Sequence, residues 1–94
     1  MNITFRQLRL FLALAETGSV SAAARKTHVT QPTASIGLKE ITQSIGVPLY
    51  EVVARKVHLT PMGHELAKAA RAISDQWESF EQEVDGIKDR KSVV

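Results

Sequence analysis

The chain has 94 residues, which is enough for one small domain and too few for two. No apolar run approaches the roughly 20 residues that a membrane-spanning helix needs. It contains no cysteine, which excludes disulfides, thiolate zinc sites and thiol redox chemistry and fits a reducing cytoplasm. Residues 1–63 have seven Lys/Arg against three Glu, and residues 64–94 have five Lys/Arg against seven Asp/Glu, so the first part is predicted to meet a polyanion, the alternative being ordinary solvated surface charge.

The first helix is predicted to begin at Thr4 and to end at Gly18. Thr4 and Gln7 have the spacing of a capping box, in which each side chain bonds the backbone of the other residue. Apolar residues follow at helical spacing on one face. Gly18 is free to adopt the positive φ that ends many helices.

A short second helix is predicted from Ser21 to about His28, with Ser19 as an alternative N-cap. The third helix is predicted to start at the Thr30 cap, with Pro32 in its first turn, where a missing N–H has no intrahelical partner to lose. Gly46 should end it. The apolar residues of this helix share one face, which is predicted to be buried: Ala34, Leu38, Ile41 and Ile45.

Residues 49–53 and 56–59 are rich in β-branched and aromatic residues, which predicts two short strands. Ala54 and Arg55 would form the turn between them, although no Asn-Gly turn signal is present. A hairpin in this place beside a helix-turn-helix is a wing, so the predicted fold is mainly α: three helices plus a short two-stranded wing, followed by a long helix.

The long helix is predicted to begin at Thr60-Pro61, a cap followed by proline. A heptad seam then runs over three repeats and consists of Leu66, Ala70, Ile73, Trp77, Phe80, Val84 and Ile87. The seam could join two chains or fold back as core, and its length, roughly 35–40 Å at 1.5 Å per residue, favours a dimer interface. The predicted divisions are therefore a winged helix-turn-helix over residues 1–60, a dimerisation helix over 61–88 and a frayed tail over 89–94.

The two helices around Thr30 predict a helix-turn-helix whose third helix enters the major groove of DNA. On a helical wheel Pro32, Ile36, Lys39, Glu40 and Gln43 face outward, with Ser35 on the flank and Gln31 at the amino end. Glutamine can pair with an adenine edge, and small hydroxyls can reach phosphates or bases. The alternative is a capped surface helix in an unrelated three-helix bundle.

Ile36, Arg55 and Lys56 have two interpretations each. Ile36 would contact a thymine methyl or merely cover the turn. Arg55 and Lys56, at the wing tip, would contact phosphate or the minor groove, or would be ordinary solvated turn charges. Gly37 costs its helix roughly 1 kcal/mol relative to alanine for no reason that is visible in the sequence.

No catalytic or metal-binding constellation is visible. The three histidines are scattered over a helix end, a strand and a helix start, without the spacing of a metal site. The five glycines are isolated, so no phosphate-binding loop is predicted. The sequence therefore predicts no enzyme activity and no cofactor for these residues.

Taken together, residues 5–88 resemble the N-terminal DNA-binding region of LysR-type transcriptional regulators of bacteria. The resemblance is carried by several motifs in order: Leu8-Arg9…Phe11, Ala15-Glu16-Thr17-Gly18-Ser19, Ala23-Ala24, Thr30-Gln31-Pro32…Ser35, Leu49-Tyr50-Glu51, and Arg55…Val57…Leu59-Thr60…Gly63. It implies a winged helix-turn-helix with a linker helix that dimerises antiparallel to its mate, and binding to an inverted repeat near a promoter.

Residue roles follow from the same resemblance. The groove residues would be Gln31, Pro32, Thr33 and Ser35, with a wing contact at Arg55 and backbone contacts at Thr30 and Lys39. The DNA-contacting set predicted for this chain adds Ser21, Ile36 and Lys56. Ile36 and Val52 occupy positions where the family often has arginine.

The resemblance also implies a larger C-terminal domain that binds a small-molecule inducer and drives tetramerisation, and these residues are expected to be an excised DNA-binding fragment. The expected partners are double-stranded promoter DNA and a second copy of the chain, with no membrane, in a cytoplasmic, nucleoid-associated setting. Two alternatives stay open: a winged-helix regulator of the molybdate-responsive type, and a helical protein–protein adaptor that uses the seam to recruit a partner helix.

Overall fold

Helices form most of the chain, and one antiparallel hairpin interrupts them before the last. The computed structural model describes the backbone of residues 1–93 and the side chains of residues 1–89. The elements in chain order are α1 (Phe5–Thr17), α2 (Val20–Lys26), α3 (Gln31–Ile45), β1 (Tyr50–Val53), β2 (Lys56–Leu59) and α4 (Pro61–Val93). The predicted fold class, a mainly α winged helix-turn-helix followed by a long helix, is confirmed.

The ends of α1 lie where the sequence predicts them. The Thr4 backbone N–H donates to Gln7 Oε1 at 3.0 Å, and the Gln7 N–H donates to Thr4 Oγ1 at 3.1 Å, which completes the capping box. Gly18 ends the helix in the left-handed region, with φ 71°.

The second helix begins one residue earlier and ends about two residues earlier than predicted, and of the two predicted N-caps it uses Ser19. Helix α2 runs from Val20 to Lys26, and its N-cap is Ser19, whose Oγ accepts from the Ala22 N–H at 3.2 Å. Ser21 therefore lies inside the helix rather than at its start. His28 takes a positive φ of 60°, which a continuing α-helix does not allow.

The wing forms with its turn at Ala54 and Arg55, as predicted. Tyr50 pairs with Leu59 and Val53 with Lys56. Ala54 and Arg55 both have positive φ, 52° and 65°, the combination found in tight hairpin turns whose twist matches that of the strands. Strand β1 starts one residue later than predicted, at Tyr50.

The core lies between α1, α2 and α3, with Leu49 closing it from the wing side. Its largest fully buried side chains are Phe11, Leu14, Leu38, Ile41 and Leu49. Gly37 explains how closely α3 approaches α1, because a Cβ at this position would lie 3.0 Å from Leu10 Cδ2. A side chain at this position would require the end of the Leu10 side chain to move aside.

Helix α4 packs against the domain along about its first half, as far as Trp77. Thr60 caps it by accepting from the Gly63 N–H at 3.1 Å, and Leu66, Ala67 and Ala70 then pack on the core side, against α1. The helix runs past residue 88, where the sequence predicts its end, to Val93. Val94, the last residue of the predicted frayed tail, lies outside the described residues. Within residues 1–93 no helix has the length and apolar character needed to cross a bilayer.

Candidate nucleic-acid interface

The amino end of α3 is built around Thr30. Its Oγ1 accepts from the Thr33 N–H at 3.3 Å and donates to Thr33 Oγ1 at 2.8 Å, and its carbonyl accepts from the Ala34 N–H at 3.0 Å. No acidic residue lies in the first turn of α3. The positive end of the helix dipole is therefore not neutralised by its own first turn, as an anion site at a helix start requires.

The outward face of α3 has the side chains that the helical wheel placed there. All of the predicted DNA-contacting residues of this helix are exposed, as are its two other outward residues: Thr30, Gln31, Pro32, Thr33, Ser35, Ile36 and Lys39, with Glu40 and Gln43. Ala34, Leu38 and Ile41, on the opposite face, are buried. The structure therefore gathers these residues on one accessible face.

Ser21 differs from this group, because it is only partly exposed and already has a partner. Its Oγ accepts a hydrogen bond from an Arg25 guanidinium N–H at 3.2 Å, one turn along α2. A phosphate contact from Ser21 would therefore involve Arg25 as well. The role of Ser21 stays a prediction.

The wing holds Arg55 and Lys56 in solvent at its tip. Strand β2 packs against α1 and α4, and the Val57 N–H donates to the Gly18 carbonyl at 3.2 Å. At the other end of the hairpin the Thr60 N–H donates to the Leu49 carbonyl at 3.0 Å. The wing is thus fixed to both the α1–α2 turn and the start of α4, which sets where its two cations lie.

Glu16 joins three helices, a role that the sequence did not reveal. Its Oε1 accepts from Lys26 Nζ of α2 at 2.8 Å, and its Oε2 accepts from an Arg71 guanidinium nitrogen of α4 at 2.6 Å. The hydrogen bond from Lys26 is the largest cause that holds the pKa of the Glu16 carboxyl below its ordinary value of 4.5, and Arg71 acts in the same direction. Lys26 is therefore already paired within the chain, which makes it less available to a phosphate.

Replacing Glu16 with glutamine is expected to lower stability at pH 7 and to have little effect in strong acid. Because the folded-state pKa lies below the unfolded one, the carboxylate stabilises the fold above pH about 4.5, and this contribution is lost as the pH falls through the folded-state pKa. Both cations are more than half exposed, so the loss should be modest, about 1 kcal/mol, or a Tm lower by roughly 4–8 °C.

Thermal melts at pH 7 and pH 2.5 check this prediction. Glu65→Gln is the matched control, since Glu65 meets Lys68 only at 3.9 Å in solvent and such pairs contribute little. If Glu16→Gln lowered the Tm by the same amount at both pH values, the ionic role of Glu16 would be contradicted.

The outer part of the heptad seam of α4 is apolar and exposed. Trp77 is 45% exposed, Phe80 53% and Ile87 55%, and the Trp77 and Phe80 rings lie 5.5 Å apart. Trp77 also meets Phe5 of α1 edge-on at 5.9 Å. The two predicted interpretations thus apply to different parts of the seam: Leu66 and Ala70 fold back on the domain, whereas Trp77, Phe80 and Ile87 keep about half of their surface in solvent.

Comparison with known proteins agrees with this architecture. Residues 5–64 match the family described as bacterial regulatory helix-turn-helix protein, lysR family. The chain is 40% identical over 90 residues to the HTH-type transcriptional activator CmpR of Synechocystis sp., a match that covers 93% of this chain and 30% of the relative. The chain therefore spans about 30% of the length of this curated relative.

Solved structures give the same result. The CbnR DNA-binding domain in complex with DNA is 33% identical, with a TM-score of 0.78 over 89% of this chain and 97% of that chain. The BenM DNA-binding domain with catB site 1 DNA is 28% identical, with a TM-score of 0.82 over 90% and 96% of the two chains. These relatives are regulators rather than enzymes, and neither the molybdate-responsive type nor the adaptor is favoured. The chain belongs to the lysR family of bacterial regulatory helix-turn-helix proteins.

Proposed function

We propose that this chain binds a specific duplex DNA site by placing the amino end of α3 in the major groove, with the wing beside it. The observation that carries the proposal is the exposed amino end of α3. There a threonine cap, a glutamine and small hydroxyls stand together on a helix start without acidic residues. These groups suit both phosphate and base-edge contacts.

The comparisons support DNA as the partner. The CbnR and BenM structures are described as complexes of DNA-binding domains with DNA, and their folds match nearly the whole of this chain. In the present chain Lys39 on α3 and Arg55 and Lys56 on the wing are exposed cations. They would contact phosphates and supply sequence-independent affinity.

We further propose that two copies join through the exposed part of the α4 seam and bind an inverted repeat. The support is the uncovered apolar stripe that includes Ile73, Trp77, Phe80 and Ile87. Two recognition helices related by a twofold axis would then lie one or more helical turns apart on one face of the DNA.

For the longer protein of which such a domain is a part, we propose an inducer-binding C-terminal domain and a tetramer, acting on the nucleoid. The basis is the family membership and the 30% share of CmpR that this chain covers.

Selection of bound sites from a random DNA pool, followed by gel shifts over a range of salt, tests the DNA-binding proposal. A specific site should emerge, and its affinity should fall steeply with salt because released counterions drive phosphate binding. A helical adaptor would select no site and would show no salt-dependent shift.

Replacing Gln31 with alanine is expected to weaken binding to the selected site by about 1–3 kcal/mol and to relax one base preference. Gln31 is exposed at the amino end of α3, and its side chain makes no hydrogen bond among the described side chains of residues 1–89. Titrations on selected and random DNA measure the effect.

Gln43→Ala is the matched control for this substitution. Gln43 is also exposed on the outward face of α3, but three turns further from its amino end, so little loss is expected. An equal loss on selected and random DNA for Gln31→Ala would refute a base-reading role.

A further inference from the structure

We propose that Ile36 reads thymine through the 5-methyl group of the base, and so sets a T preference within each half-site. This inference rests on the proposed DNA-binding function and names a specificity determinant of the same surface. It also assigns a role to an isoleucine that lies outside the hydrophobic core of the chain.

Ile36 is placed where a reading residue would be. It lies on the face of α3 opposite the buried Ala34, Leu38 and Ile41, one turn beyond Pro32 and one turn before Lys39. Its side chain is 59% exposed. A helix that presents its amino end to the groove would bring its second turn to the bases as well.

The chain gains little from Ile36 in folding. The core cluster and the partly buried hydrophobic residues packed against it do not include Ile36. Ile36 borders a shallow groove between α1 and α3, together with Leu10 and Val29, but leaves more than half of its surface in water. Thr27 and Val29 of the helix-turn-helix turn line the same groove, so Ile36 covers part of the turn and still leaves most of its side chain available to DNA.

The chemistry of isoleucine selects among the features of the major groove. Isoleucine has no donor or acceptor, so it cannot read the polar edges of guanine, cytosine or adenine. The thymine 5-methyl group is the apolar feature that the major groove displays. A β-branched side chain is also stiff about χ1, so its methyl groups are held in place before contact and lose little freedom on binding.

The backbone around Ile36 is held firmly enough for such a contact. At the next residue, Gly37, a Cβ would lie 3.0 Å from Leu10 Cδ2, so α3 lies directly against α1 there. Packing on a rigid element fixes side-chain position better than a loop would.

The experiment uses the selected site with single thymines replaced by deoxyuridine, which removes the 5-methyl group and leaves base pairing intact. For the unaltered chain, uracil at one position of a half-site should weaken binding about fourfold, the worth of one buried methyl group. With Ile36→Ala the same replacement should have no measurable effect. Circular dichroism melts establish that the exposed substitution leaves the fold intact.

Val52→Ala is the matched control. Val52 is a β-branched residue exposed to a similar degree, 58%, but it lies on the wing rather than on α3. This variant should keep the full sensitivity to uracil.

Three results overturn the inference: no thymine of the half-sites is sensitive in the unaltered chain, Ile36→Ala keeps the sensitivity, or Val52→Ala loses it. The first result is measured on the unaltered chain, so it does not depend on whether a variant folds. If no DNA site can be selected at all, the proposed function fails, and this inference fails with it. A selected site without uracil sensitivity overturns the inference alone.

Discussion

Replacing Trp77 with glutamate is expected to convert the chain from a dimer into a monomer. The Trp77 ring lies in the middle of the exposed seam, beside Phe80, with 45% of its surface in solvent. In the proposed dimer this surface is covered, and a carboxylate in its place would have to lose its hydration without a partner. Such a desolvation costs several kcal/mol, so the dimer dissociation constant should rise at least about a hundredfold.

Sedimentation equilibrium measures this directly, since the dimer has twice the chain mass of 10.3 kDa. Gln82→Glu is the matched control: it adds the same charge to the same helix, at an exposed position off the seam, and should leave the dimer mass unchanged.

Trp77 also contacts Phe5 within the chain, so a second variant separates association from folding. Ile87→Glu alters an exposed seam residue, 55% exposed, in the distal part of α4. It should also yield a monomer, with a circular dichroism spectrum as helical as that of the parent. Dimer mass retained in both variants would contradict the seam.

The parts of the fold that depend on short-range signals could be predicted from the sequence. The Thr4 and Thr30 caps, the stops at Gly18 and Gly46 and the hairpin around Ala54 each rest on interactions within a few residues. A capping side chain bonds a backbone three residues away, so its signal is local. The error at α2 has the same origin, because Ser19 and Ser21 have nearly equivalent local signals.

What could not be predicted depends on residues far apart in the chain. Glu16 and Arg71 are 55 positions apart, and no periodic pattern marks their pairing. The division of the seam has the same cause. The heptad spacing is continuous, but the body of the domain is long enough to cover Leu66 and Ala70 and not Phe80.

The candidate site is intermediate between these two cases. Helical periodicity alone predicted which side chains of α3 face outward, and their exposure agrees. Which of them contact bases depends on a DNA surface outside the chain, so those roles stay predictions. The availability of the surrounding cations was not predictable either, because Lys26 is engaged by Glu16 across two helices.

Replacing Gly63 with alanine is expected to destabilise the fold by about 3 kcal/mol. An added Cβ would lie 1.9 Å from the Leu49 carbonyl oxygen and 3.3 Å from Leu59 Cβ. A backbone oxygen cannot turn aside as the end of a flexible side chain can, so the start of α4 would have to separate from Leu49. That movement would strain the hydrogen bonds from Thr60 to the Leu49 carbonyl, at 3.0 Å, and to the Pro48 carbonyl, at 2.8 Å.

Gly86→Ala supplies the matched control, since it makes the same substitution in the same helix where nothing lies within 4 Å. There the change should stabilise the chain by up to about 1 kcal/mol, because alanine is the better helix former. Both variants are measured by urea unfolding at one chain concentration, since dimerisation would contribute to the apparent stability. A Gly63→Ala midpoint equal to that of the parent would show that α4 can move away from Leu49 without cost.

The same substitution links the packing of α4 to the proposed function. The hairpin is held at one end by Gly18 and at the other by the Leu49–Thr60 bond, and displacing α4 would release the second of these. Arg55 and Lys56 would then lose part of the support that fixes their position. Binding to selected and random DNA should therefore weaken together for Gly63→Ala under conditions where it is still folded, with base preference unchanged, because the reading face of α3 itself is untouched.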